Sequence, residues 1–230
     1  MDPIVTCRGL GKTFGKGELA VHALRDIDLD ILPGDFATLA GPSGSGKTTL
    51  LNMIGALDLP SSGEVTVDGQ ALSDLSRTQL SDLRLSKIGF VFQSFNLIPV
   101  LSARENIEFV LQLQGVSAEE RHARAMEAIR EVGLDGLEDR RPGKMSGGQQ
   151  QRVAVARALV SRPSIVLADE PTANLDSKNA LELIDLMRKL NREHGTTFLI
   201  GTHDTKVMDH SKRHIEMLDG RISSDTRNDT

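Results

Sequence analysis

Gly41-Pro42-Ser43-Gly44-Ser45-Gly46-Lys47-Thr48 fits the phosphate-binding pattern G-x-x-x-x-G-K-[ST] at every fixed position. Phe36–Ala40 ahead of it reads as a short buried strand and Lys47 to Gly55 as the start of a helix, so the loop joins strand to helix as that pattern requires. Glycines at 41, 44 and 46 let the backbone curl tightly enough to aim successive N–H groups at one anion, and the helix N-terminus adds its partial positive charge. Lys47 then reaches the β- and γ-phosphates, while the Thr48 hydroxyl is placed to ligate a bridging Mg²⁺. An ordinary strand-to-helix turn would leave Lys47 unexplained. The candidate nucleotide cradle is therefore Gly41, Pro42, Ser43, Gly44, Ser45, Gly46, Lys47 and Thr48, with Thr49 behind them.

The 230 residues suffice for a single domain, 1–230, with one insertion, and for a sizeable apolar core. A net charge of −5 argues against a nucleic-acid surface, which usually carries a basic excess. The lone Cys7 has no second cysteine for a disulfide or a shared metal, which suits a reducing compartment. No stretch approaches the apolar length of a membrane span, so a cytoplasmic chain is expected.

The N-terminal third alternates like antiparallel sheet in three runs, Ile4–Cys7, Ala20–Leu24 and Ile27–Ile31. Lys12–Gly17 between the first two reads as a glycine-punctuated loop, whose Phe14 is either core filling or a ring laid on a purine base. Three continuous apolar runs have the character of buried parallel strands. Ile88–Phe92 ends in Gln93, Ser164–Ala168 in Asp169-Glu170, and Thr197–Gly201 in Thr202-His203. Ligands gather at the C-terminal edge of such sheets. Adjacent carboxylates on a strand end diverge, so Asp169 suits a place behind the waters around the Mg²⁺, and Glu170 suits orienting and deprotonating a water aimed at the γ-phosphate.

Between these strands the pattern turns helical, with capping-box signatures at Ser102–Glu105 and Ser117–Glu120 and helices expected at 103–114 and 118–132. Residues 98–145 read as an inserted helical subdomain. Ser146-Gly147-Gly148-Gln149 then precedes an apolar helix and forms a second anion-binding arrangement, its serine hydroxyl expected to face outward. One domain has no obvious use for two phosphate cradles, but two facing copies do. The polar end, 223–230, is expected to fray.

Together the phosphate loop, Gln93, Ser146-Gly147-Gly148-Gln149, Asp169-Glu170, Asn174-Leu175-Asp176 and His203 resemble the ATP-binding-cassette ATPases in order and spacing, over nearly the whole chain. The resemblance implies an α/β fold: a P-loop NTPase core of mixed sheet with an antiparallel N-terminal part and an inserted helical subdomain. It also implies ATP and Mg²⁺ as cofactors and a head-to-tail homodimer with each ATP between one copy's phosphate loop and Ser146-Gly147-Gly148 of the other. Glu170 is then the general base, Gln93 touches Mg²⁺ and the membrane partner, Asp176 lies at the dimer contact, His203 meets the γ-phosphate, and Phe14 carries the adenine. Membrane permease subunits on separate chains, at the cytoplasmic face of the membrane, would be its partners.

Gly89–Pro99 and Gly148-Gln-Gln-Gln-Arg152 are similar to the lipoprotein-releasing and macrolide-export branch, with cell-division and peptide-sensing systems as close relatives. Phe14 stands where that family usually has tyrosine, and Met145 replaces the usual leucine, a volume-conserving change. Relatives that act on chromosomes carry long coiled coils or zinc cysteines at the position of the short insert, and this chain has neither.

Overall fold

The structure is a computed structural model that describes residues 2–227. Its strands are β1 (Val5–Phe14), β2 (Val21–Ile31), β3 (Phe36–Ala40), β4 (Ser62–Val67), β5 (Gln70–Ala71), β6 (Ile88–Phe92), β7 (Ile165–Asp169), β8 (Thr197–Thr202), β9 (Arg213–Leu218) and β10 (Arg221–Arg227). The helices are α1 (Lys47–Ile54), α2 (Arg77–Lys87), α3 (Ala103–Leu113), α4 (Ala118–Glu131), α5 (Gly147–Leu159), α6 (Ser177–His194) and α7 (Thr205–Met208). An antiparallel sheet in the order β2-β1-β4-β5 packs beside a larger one in the order β10-β9-β3-β8-β7-β6, whose β3, β6, β7, β8 and β9 run parallel.

β6 and β7 are apolar up to Phe92 and Ala168 because both faces are covered, whereas β3 carries the buried Thr38 and β9 the buried Arg213. Along β7, Ile165 and Leu167 join the core shared with α1 and the antiparallel sheet, while Val166 and Ala168 face the second core beneath α3–α6. Alternate residues thus serve opposite layers, and the polar group that ends each strand emerges on one common edge.

Three expectations change. Lys12–Phe14 are not a loop but complete β1, which reaches the β2 partner through register shifts between Cys7 and Thr13. Those irregularities hide the strand from a search for alternation. Of the two capping boxes, that at Ser102 is reciprocal, whereas Ser117 Oγ accepts from Glu120 N without the return bond.

The third change is the C-terminal segment, which does not fray at 223–227: β10 pairs with β9 as far as Arg227↔Arg213, and 228–230 lie outside the described residues. The cause is a charge cluster formed by distant residues. Buried Arg213 donates to Asp225 Oδ1 and Oδ2 at 2.9 and 2.7 Å and to Asp35 Oδ2 at 2.8 Å. Arg227 reaches the same Asp35 at 3.1 Å. Removing a carboxylate from a buried ion pair leaves a charge uncompensated, so Asp35→Ala should lower the unfolding free energy by about 3 kcal/mol in a urea titration. A loss under about 0.5 kcal/mol would show instead that the cluster is screened like a surface pair.

Candidate nucleotide site

The phosphate loop lies where β3 passes into α1, and its glycines are demanded by close approach as much as by backbone angle. Gly41 has φ 148°, and a Cβ there would stand 2.3 Å from the Met217 carbonyl oxygen at the end of β9. Gly46, the N-cap of α1 at φ 106°, would place a Cβ 2.7 Å from the Ala23 carbonyl of β2. The loop is therefore seated against both sheets, and Gly220 N donates to Ser45 O at 3.0 Å to close the seat. Lys47 is buried and its Nζ donates to the carbonyls of Gly41 and Pro42 at 2.7 and 3.1 Å.

A cleft of about 650 Å³ opens over this loop, lined by Ser43, Gly44, Gly46, Lys47, Thr48 and Thr49 together with Gln93, Glu170 and His203. Four strand ends deliver these groups to one place. Asp169 comes in from beneath: Thr48 Oγ1 donates to its Oδ2 at 2.9 Å. Glu170 lies just past the end of β7 and turns away from Asp169 by leaving the strand conformation: it adopts φ 48° and is held by its N–H on Gly201 O at 2.8 Å. A left-handed non-glycine residue costs on the order of 1–3 kcal/mol, and here the strain turns a carboxylate into the cleft. Glu170 Oε1 lies 2.8 Å from His203 Nδ1 and 4.0 Å from Lys47 Nζ. An ionised carboxylate can only accept, so Nδ1 carries the proton in this pair and the exposed ring presents Nε2 outward.

Asp169 also provides the test of whether Mg²⁺ fits. Its Oδ1 is buried and has no hydrogen-bond partner. Desolvation lifts the carboxyl above its ordinary pKa, against the lowering effect of the Thr48 bond. Asp169 is not part of the cleft lining itself, but its carboxylate is tied to the Thr48 hydroxyl that, like Gln93, lines the cleft; these are hard oxygen donors, so the residues fit the ion. The sign of the linkage follows from the raised pKa: the folded form binds the proton more readily, so stability is greatest below the unfolded pKa and declines as pH rises through the folded one. Asp169→Asn should accordingly raise the melting midpoint at pH 7 in EDTA by a few degrees. The gain should vanish near pH 3, where both states are protonated. A lower midpoint at pH 7 would contradict the assignment of an ionised, desolvated Asp169.

Other expected residues stand apart from this cleft. Ser146 is the N-cap of α5, and its Oγ accepts from Gln149 N at 3.3 Å while Gln149 Oε1 accepts from Ser146 N at 3.0 Å. The serine oxygen thus serves its own helix rather than facing out freely, leaving its proton and the N–H groups of Gly147 and Gly148 for another partner. Asp176 caps α6 through the N–H groups of Lys178 and Asn179, and those bonds hold its pKa below the usual range. None of Ser146, Gly147, Gly148, Gln149 or Asp176 lines the cleft. Phe14 is outside the lining as well, but it is the register partner of Val21, which does line it. Its ring is 45% exposed at the rim, and Lys12 Nζ sits 5.1 Å from the ring centroid.

Sequence reading missed the wall supplied by β2 and the β9–β10 turn, Val21, His22, Ala23, Arg25, Asp219 and Gly220. Asp219-Gly220 is visible only as a turn, and nothing in the local pattern says that the turn folds over the phosphate loop.

The family described as ABC transporter matches residues 24–173. The chain belongs to this family. Among its relatives are ATP-binding cassettes of the macrolide-export branch. It is 46% identical over 224 residues to the macrolide export ATP-binding/permease protein MacB of Marinobacter nauticus, covering 97% of this chain and 35% of that protein. The chain thus spans about a third of the MacB relatives it matches. An uncharacterized ABC transporter ATP-binding protein of Methanocaldococcus jannaschii, MJ0796, is 44% identical with 97% of each chain covered. The dimeric structure of that archaeal cassette in a post-hydrolysis state, bound to ADP and phosphate, has a TM-score of 0.89 at 44% identity and covers 97% of this chain and 98% of its own. Among the described residues no helix is long and apolar enough to cross a membrane.

Proposed function

We propose that the chain pairs head to tail with a second copy around two ATP molecules and drives permease subunits of a lipoprotein-release or macrolide-type export system. The observation that carries the pairing is the separation just described, in which Ser146-Gly147-Gly148 is built for an anion yet lies outside its own cleft. A second copy supplies the missing anion, and Asp176, at the neighbouring helix start, falls in the same contact. The dimeric archaeal cassette, similar over its whole length, supports the reading. On this reading the cassette works at the cytoplasmic face of the membrane, against the permease it drives.

Within each site the backbone of Gly41–Lys47 cradles the phosphates, with Lys47 turning from the loop carbonyls to the β- and γ-oxygens. Thr48, Gln93 and Asp169 would hold Mg²⁺, which when bound would neutralise charge developing on the phosphate oxygens. Glu170 takes the proton of a water as the water oxygen bonds to the γ-phosphorus, and the bond to the β,γ-bridging oxygen breaks, leaving ADP and phosphate. His203 contacts the γ-phosphate with its free edge and fixes the Glu170 carboxylate with the other. Phe14 supports the adenine from the rim beside Val21.

Glu170→Gln should lower kcat by a factor of about 10²–10⁴, with ATP affinity retained. The same variant should elute as a dimer in Mg²⁺ and ATP. Undiminished turnover would remove Glu170 as the base, and a variant that stays monomeric while holding ATP would remove the paired site.

A further inference from the structure

The segment after β6 that carries Gln93 has an unusual backbone. Phe95 and Asn96 are both left-handed, at φ 59° and 49°, a conformation that side-chain-bearing residues keep only when their surroundings hold them there. A set of side chains reaching for carbonyls fastens the segment, and Arg157 fastens these two residues themselves. Gln151 Nε2, fully buried in α5, donates to Phe92 O at 3.3 Å and to Pro171 O at 2.7 Å. Asn174 Nδ2 donates to Gln93 O at 2.9 Å. Arg157, two turns further along α5, donates through Nη2 to Phe95 O at 3.0 Å and through Nη1 to Asn96 O.

The Arg157 guanidinium is the odd member. Burial lowers its pKa, and no acidic group acts against that shift. Arginines placed for stability or solubility are ordinarily matched with a carboxylate or left in water. This one is half-buried and spends its two forks on the carbonyls of the two strained residues. The other end of the same helix is Ser146-Gly147-Gly148, where the Phe95 ring lies within contact reach of Gly147.

We infer that Arg157 is a positioning residue: it fastens the Gln93 segment to α5, so that the helix whose N-terminus faces a partner's phosphate and the amide that faces its own move as one body. This rests on the ATPase reading proposed above. The clamp acts through Gln93 and touches no nucleotide. Gln151 extends it, because one buried amide ties the carbonyl just before Gln93 to the carbonyl just after Glu170.

Arg157→Met keeps the length of the stem and removes the forks, and replacing a half-buried cation that has no carboxylate partner with an apolar group should leave the fold close to the parent's stability. In the full chain we expect the melting midpoint and the affinity for ATP in EDTA to stay within twofold or a few degrees of the parent, while kcat falls at least tenfold. Amide hydrogen exchange over 92–98 should quicken at least tenfold, with exchange in 41–54 unchanged. Arg157→Lys, which keeps the charge and one bond, should recover part of the loss. A kcat within twofold of the parent, or unchanged exchange over 92–98, overturns the inference. If Arg157→Met does not fold, Asn174→Ala, at an exposed side chain, takes its place: exchange and kcat should shift in the same directions, and no shift again overturns it. Absence of Mg²⁺-dependent turnover in the parent chain would instead remove the function reading, which keeps the two failures distinguishable.

Discussion

The phosphate loop can close only because its backbone lies directly against two carbonyl oxygens, that of Met217 at the end of β9 and that of Ala23 in β2. Any side chain at Gly41 or Gly46 would collide with one of them, so the loop's curvature, its seat between the sheets and the direction of α1 are settled together. Everything that faces the loop then has to arrive from a strand that ends on the same edge. The two covered faces of the parallel sheet serve this end. Polar groups are few inside the sheet and gather beyond the strand ends, where Gln93, Glu170 and His203 all emerge.

The site built this way is dense in carboxylates and stores strain. Asp169 is desolvated with an oxygen left over, Glu170 sits in a left-handed conformation, and Phe95 and Asn96 repeat that strain beside Gln93. Each departure from comfortable geometry is held by a named bond: Gly201 O for Glu170, Thr48 for Asp169, Arg157 for the Gln93 segment. Stability surrendered at such places is recovered in the two apolar cores and in the Arg213 cluster far from the cleft.

The parts of this architecture that are local in sequence were legible in advance. The glycine loop, the strand Ile88–Phe92 and the reciprocal cap at Ser102 depend on residues within a few positions of one another, and they read as the structure has them. What depended on long-range contact was not. Ser223–Arg227 is polar enough to suggest a loose end and is held as a strand by Asp35 and Arg213. Lys12–Phe14 looks like a loop because bulges break the alternation of β1. The family resemblance puts Phe14 under a base, and the register sets it beside Val21 at the lip of the cleft. The roles of Gln151, Arg157 and Asn174 left no mark in spacing at all, since each acts on a carbonyl some 60 to 80 residues away.

The central claim is that one intact site takes its phosphate loop from one copy and its Ser146-Gly147-Gly148 from the other, and mixing two disabled variants tests it most directly. Lys47→Ala and Ser146→Arg should each be inactive alone, whereas a mixed dimer pairs the sound phosphate loop of the second with the sound helix start of the first. Mg²⁺-dependent ATP turnover that emerges only on mixing is the expected result. A Ser146→Arg protein that hydrolyses ATP by itself, or a mixture as silent as its components, would contradict it.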